Sequence, residues 1–219
     1  MELTNEQVQQ VENYLDNKSF DFIDLKLEIL DHLISDIESF IDKGFSFDNA
    51  FKATVLKWDK HFKDSSSFYF GLLYSESKIV VKKAVKIFKP FYFLYLTAYF
   101  LPLIILKKFS FTFSINTIDY FDTLLNTLSV IFLIYLIYII VKVFKSKVKT
   151  TYSFILRTQY LGVVFLIIPL LSGKHFNDKG EMNPIFTGFL LAGFAVTYIC
   201  FYFYKKHKDA IKKYKISYS

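Results

Sequence analysis

Residues 28–40 read EILDHLISDIESF and hold a histidine between carboxylates. Glu28, His32 and Asp36 stand four residues apart, a spacing that brings them to one side of a helix. Two chemistries suit such a set. A neutral imidazole near carboxylates is a fragment of a metal or acid–base site, whereas a charged one simply pairs with its i−4 and i+4 neighbours on a solvated face. A metal would need donors from elsewhere, and Asp59 and His61, in the next predicted helix, are the obvious ones. A second polar set, His175, Asp178 and Glu181, sits in GKHFNDKGEMNP, a Gly/Asn/Pro loop of the kind that carries such residues without binding anything. Neither set has zinc-site spacing, and the chain lacks a nucleophile elbow or a phosphate loop. The sequence therefore predicts a non-enzymatic protein with no catalytic residues, no metal and no cofactor.

The elements that position Glu28 and His32 read as helices. One is predicted over residues 21–43, with Gly44 as its stop. With Leu30 as origin at ~100° per residue, Ile23, Leu27, Leu33, Ile34, Ile37 and Ile41 fall within about 60° of it, and Glu28, His32 and Ser39 within about 20° of the opposite pole. That places His32 on a wet face open to a partner. Thr4 and Gln7 form a capping-box pair that opens an earlier helix, with Val8, Val11 and Leu15 as its apolar side. Ser46 caps a third helix over 47–62, whose stripe is Phe47, Ala50, Phe51, Val55, Trp58 and Phe62. Three short amphipathic helices can cover one another's stripes. SSSFYFG (65–71) reads as a hinge, followed by a basic helix over 68–89.

Charge is split along the chain. Residues 1–65 carry 14 acidic and seven basic side chains, and the remainder six and 20, within an overall charge of +7. The second part is also strongly apolar, in a chain that is 53% hydrophobic with 27 Phe and 16 Tyr. Four uncharged stretches, 90–106, 123–141, 158–173 and 184–204, approach the ~20 residues a helix needs to cross a bilayer. With snorkelling flanks they become spans at about 88–106, 123–143, 153–172 and 184–204. Sixteen basic residues lie on one predicted side, among them Lys82, Lys83, Lys86, Lys89, Lys145, Lys147, Arg157, Lys205 and Lys206. Four lie on the other: Lys107, Lys108, Lys174 and Lys179. This bias predicts a multi-pass membrane protein with both termini in the cytoplasm. The fold expected is all-α: an acidic three-helix cytoplasmic domain at 1–64, a basic linker at 65–89, a four-helix transmembrane bundle at 90–204 and a basic cytoplasmic tail at 205–219.

The basic excess does not point to nucleic acid. Arg157 is the single arginine, and the lysines flank apolar spans, so the lipid bilayer is the expected partner. The lone Cys200 forms no intrachain disulfide, and the late first span predicts no cleavable signal peptide at the start of the chain, so that Met1 is expected to begin the mature protein. No Asp or Glu lies inside the four spans, which disfavours a proton or ion pump. Gly188, Ala192 and Ala195 form a small-residue strip that suits either packing inside the bundle or docking onto another membrane protein or a second copy. Tyr92, Tyr95 and Tyr99 read as an interfacial belt or as the wall of a polar-tipped cleft. The outward segment with Phe109, Phe111 and Phe113 shows strand-like alternation.

The stretch LEILDHLISDIESFIDKGFSFDNAFKATVLKW (27–58) resembles the prefix helices of some ABC-type permeases and the heterodimeric-ABC-transporter-associated signalling domain. The matching positions are Glu28, His32, Leu33, Glu38, Gly44, Ser46, Ala50 and Trp58, while Trp58-Asp59 stands where that pattern continues with an aromatic and Gly. The whole chain is similar to uncharacterised bacterial four-span inner-membrane proteins with such a head. The resemblance implies an accessory or signalling role beside a transporter, a contact role for His32, and no catalytic residues. The alternative is a small self-contained transporter or lipid-binding membrane protein.

Overall fold

The computed structural model describes the main chain of residues 2–109 and 111–217 and side chains as far as Tyr214. The chain is mostly helical. Helices α1 (Asn5–Asn17), α2 (Ile23–Ile41) and α3 (Phe47–Phe62) lead into a hairpin of β1 (Asp64–Ser67) and β2 (Gly71–Ser77). Then follow α4 (Lys78–Lys108), α5 (Ile115–Phe144), α6 (Thr151–Arg157), α7 (Leu161–Ser172) and α8 (Pro184–Ser217). Four helical stretches are long and apolar enough to cross a membrane: Lys78–Lys108, Ile115–Phe144, Thr151–Ser172 and Pro184–Tyr214. The all-α membrane architecture expected from the sequence is thus present, with a two-stranded addition.

The chain divides into two compact units. The first comprises Met1–Lys86, Lys147–Phe154 and Lys206–Ser219; it is called the head here. It takes in more chain than the acidic residues 1–64, because two distant segments pack into it. The second comprises Ile87–Ser146 and Ile155–Lys205.

In the head, the Thr4–Gln7 capping box forms as predicted: Gln7 N–H donates to Thr4 Oγ1 at 3.3 Å and Thr4 N–H to Gln7 Oε1 at 2.9 Å. Ser46 has the extended backbone of an N-cap, but its hydroxyl makes no capping bond. Helix α2 buries Leu25, Ile29, Leu30, Leu33 and Ile37, while Leu27 on the predicted face is 39% exposed. The buried arc is wider than the apolar stripe and turned toward Leu25, because α1 and α3 both pack on α2. Past α2, Gly44 adopts φ +89°, a left-handed conformation that ends the helix as expected.

Residues 65–77 correct the expected hinge and helix. Asp64 pairs with Ser77, Ser65 with Glu76 and Ser66 with Ser75, and the register then slips so that Ser67 pairs with Gly71. Phe70, 4% exposed, is pinned edge-on against Phe154 with ring centroids 5.2 Å apart. The sequence offered little warning, since both hairpin faces are largely open to solvent and no period-2 apolar pattern arises.

In the second unit, close helix approach rests on glycines. A Cβ on Gly162 would come within 2.5 Å of Val196 Cγ1, and one on Gly193 within 2.6 Å of Leu166 Cδ2. The third span is interrupted: α6 stops at Arg157 and α7 resumes at Leu161, with Gln159 Nε2 donating back to the Ile155 carbonyl at 3.2 Å. The outward segment around Phe111 forms no strand among the described residues; Thr112 bridges Glu181, and Phe113 N–H donates to the Gly180 carbonyl at 2.8 Å.

Candidate functional site: the carboxylate row of α2

Asp21 stands just before α2, and Asp24 and Glu28 follow four residues apart on one side of its first turns. Each engages a segment of the head that runs on into an apolar span. Asp21 Oδ2 lies 3.4 Å from Lys149 Nζ, and Ile23 N–H donates to the Lys149 carbonyl at 3.1 Å. Asp24 accepts the Thr151 N–H on both oxygens, at 2.9 and 3.1 Å. Thr151 opens α6, so Asp24 supplies a carboxylate to a helix N-terminus where backbone N–H groups need acceptors and the dipole favours negative charge. Glu28 Oε2 pairs with Lys83 Nζ of α4.

Burial pushes the Asp24 carboxyl above its ordinary value, even though the Thr151 bonds and the nearby Lys83 charge pull it down. Behind it, Thr150 and Ser153 satisfy one another: Thr150 N–H donates to Ser153 Oγ at 2.9 Å and Ser153 N–H to Thr150 Oγ1 at 3.0 Å. Thr150 Oγ1 also lies 2.9 Å from Nδ1 of the buried His207. The row opens onto a cleft of about 310 Å³ whose charged lining is Asp24, Glu28 and Asp209 against Lys83, Lys206 and Lys213, balanced three to three.

The Glu28–His32–Asp36 set separates into three different contacts. Glu28 turns to Lys83. Asp36 turns to α3, accepting from Lys57 Nζ at 2.9 and 2.8 Å and from Trp58 Nε1 at 2.8 Å. Burial alone would raise the Asp36 carboxyl, but the Lys57 and Trp58 bonds outweigh it and hold it below the usual range. His32 is exposed, as its helical position predicts, and its ring stacks on Trp58 at 6.4 Å and 25°. Trp58 also meets His61 at 5.6 Å. Asp59 is engaged elsewhere, with Lys18 at 2.8 Å and the Tyr14 hydroxyl at 2.9 Å. Among the described residues, no three His, Cys, Asp or Glu side chains gather as a metal site.

The loop set is also dispersed. His175 is fully buried, its backbone N–H donating to Asp122 Oδ1 at 2.6 Å and its ring Nε2 lying 3.1 Å from Asn126 Oδ1. Burial holds its imidazole below the ordinary value against the opposing pull of Asp122. Glu181 instead accepts from Asn177 Nδ2 at 2.9 Å.

Of the small-residue strip, Gly188 and Ala192 are buried inside the second unit, and Ala195 is half-buried. A Cβ on Gly188 would stand 2.8 Å from the Tyr99 carbonyl, so this residue serves packing between α4 and α8. The Tyr row joins the same packing: Tyr99 lies edge-on to Phe189 at 5.1 Å and stacks on Phe165 at 6.4 Å. Lys82, Lys86, Lys89, Lys145, Lys147, Lys205 and Lys206 are exposed. Arg157 is half-buried, with its guanidinium 5.7 Å from the Phe144 ring.

Sequence reading passed over Asp21, Asp24, Thr150, Thr151 and His207. The usable signal was weak: two adjacent threonines before an apolar run suggest a cap, but nothing local says that a carboxylate 127 residues earlier completes it. Comparison of the chain with protein-family models, curated proteins and solved structures yields no match.

Proposed function

We propose that this chain is a multi-pass membrane protein of accessory or regulatory type, without catalytic activity of its own. Its head recruits a partner complex and passes the state of that contact to the spans. The observation that carries this reading is the carboxylate row of α2, which holds the start of α6 through Asp24 and the head segment of α4 through Glu28. Both helices run on into apolar spans. A partner seated over the exposed His32 face of α2 would load those two contacts directly. The resemblance of residues 27–58 to transporter-associated prefix and signalling domains supports a transporter complex as the partner. The lysine bias supports cytoplasmic placement of both termini, and the same resemblance supports a bacterial inner membrane.

A second reading has one observation in its favour. Phe132, Tyr135, Phe194, Thr197, Tyr198 and Phe201 line an apolar groove of about 230 Å³ in the second unit, which suits an acyl chain and a lipid-handling role.

The two readings separate by photo-crosslinking in native membranes. A crosslinker replacing His32 should capture one protein in defined yield, and a crosslinker at Tyr198 should capture lipid only. Lipid adducts alone from both positions would favour the second reading.

A further inference from the structure

We infer that the tip of the β1–β2 hairpin is a membrane-interface anchor, in which Leu72 and Leu73 enter the lipid head-group region. This rests on the four-span reading and is independent of any partner on α2.

The register of the hairpin produces the feature. Ser66 pairs with Ser75 and Ser67 with Gly71, so residues 72–74 have no counterpart on β1 and bulge from the ladder. Gly71 makes the bend possible with φ +86°. Leu72 is 79% exposed and Leu73 93%, and Phe68 across the turn is 78% exposed. Two adjacent leucines so exposed at the tip of a short hairpin are unfavourable in water, and a two-stranded hairpin gains little stability alone.

The position of the tip supplies the occupant. The hairpin leads without a break into the first candidate span at Lys78. Its turn residue Phe70 packs on Phe154, which belongs to the third candidate span, Thr151–Ser172. The tip is therefore attached to chain that meets the bilayer. At its base Lys78 N–H donates to the Lys63 carbonyl at 2.9 Å, and these two lysines stand beside Asp64 and Glu76, while Lys82 and Lys86 add exposed positive charge along the next turns of α4. Exposed apolar side chains on chain that continues into a lysine-rich helix suit an anionic interface.

The test uses the full chain reconstituted in vesicles of phosphatidylethanolamine and phosphatidylglycerol. The native Cys200 is removed by Cys200→Ala, and an environment-sensitive fluorophore is attached after Leu73→Cys. Lys52→Cys, at an exposed position on α3, serves as the water-exposed reference. The expected result is quenching by lipids carrying a shallow nitroxide, with iodide quenching several-fold weaker than at the reference. Iodide quenching equal to the reference would overturn the proposal. So would protection from iodide without nitroxide quenching, which would mean a protein-covered tip. Protection found in native membranes but absent from the vesicles would overturn it too, in favour of a protein partner.

Discussion

Asp24 accepts the backbone N–H of Thr151 with both carboxylate oxygens, at 2.9 and 3.1 Å, across 127 residues of chain. Local sequence rules predict caps from a residue at the helix's own start; here the cap is imported from α2. The consequence is that the first turn of α6 and the head's central helix are one mechanical element.

Replacing Asp24 separates the cap from its charge. Asp24→Ala removes the acceptor and should cost ~1 kcal/mol, within the range for lost caps. Asp24→Asn keeps an oxygen acceptor and loses the buried charge, so it should stay closer to the parent at neutral pH. Because burial raises the folded carboxyl, Asp24 contributes most below its unfolded pKa of ~3.9 and loses that contribution as pH rises through the raised value. Thermal unfolding of parent and Asp24→Asn across acid pH checks the sign: the parent should gain on the variant as pH falls.

Asp36 titrates in the opposite sense. Its folded pKa is lowered, so its stabilisation is present above the ordinary carboxylate range and is lost as pH falls through the lowered value. Trp58 is the single tryptophan and donates to Asp36 Oδ2, so its fluorescence reports the bond. An acid-dependent emission change in the parent should be absent in Asp36→Asn.

Exchanging charge tests the Glu28–Lys83 link. The pair is partly exposed, so a double-mutant cycle in detergent should give a coupling of only ~0.2–1 kcal/mol. Glu28→Lys and Lys83→Glu should each impair regulation of the partner far more than they impair stability, and the double exchange should restore it.

Glycine contacts set the bundle. Gly188→Val would drive a side chain into the Tyr99 carbonyl, and Gly162→Leu would collide with Val196 and Leu136. Each should cost ~1–3 kcal/mol or more, the range for overpacking, seen as a lower unfolding temperature in detergent. Gly44 has open space around it, so Gly44→Ala should show only the smaller cost of its positive φ.

The spans, the capping box at Thr4 and the wet position of His32 were legible because each follows from nearest-neighbour rules: apolar length, a four-residue motif, a helical angle. The hairpin was not, because Phe70 gains its partner from Phe154, 84 positions later in the chain, and Leu72 and Leu73 point away from any protein core. Grouping Glu28, His32 and Asp36 followed from their common helix side, but their contacts were set by Lys83, Trp58 and Lys57 on other elements. Small residues at Gly188 and Ala192 fitted packing and docking equally in the sequence; burial inside the second unit assigns them to packing.

The most direct measurement is affinity purification of the full chain from native membranes in mild detergent, read by mass spectrometry, beside a Glu28→Ala/His32→Ala variant whose fold is verified by circular dichroism and thermal unfolding. A stoichiometric membrane partner that the parent retains and the variant loses is the predicted result. Isolation of the parent alone or as a homo-oligomer, or equal partner recovery with the variant, would contradict recruitment through the α2 face.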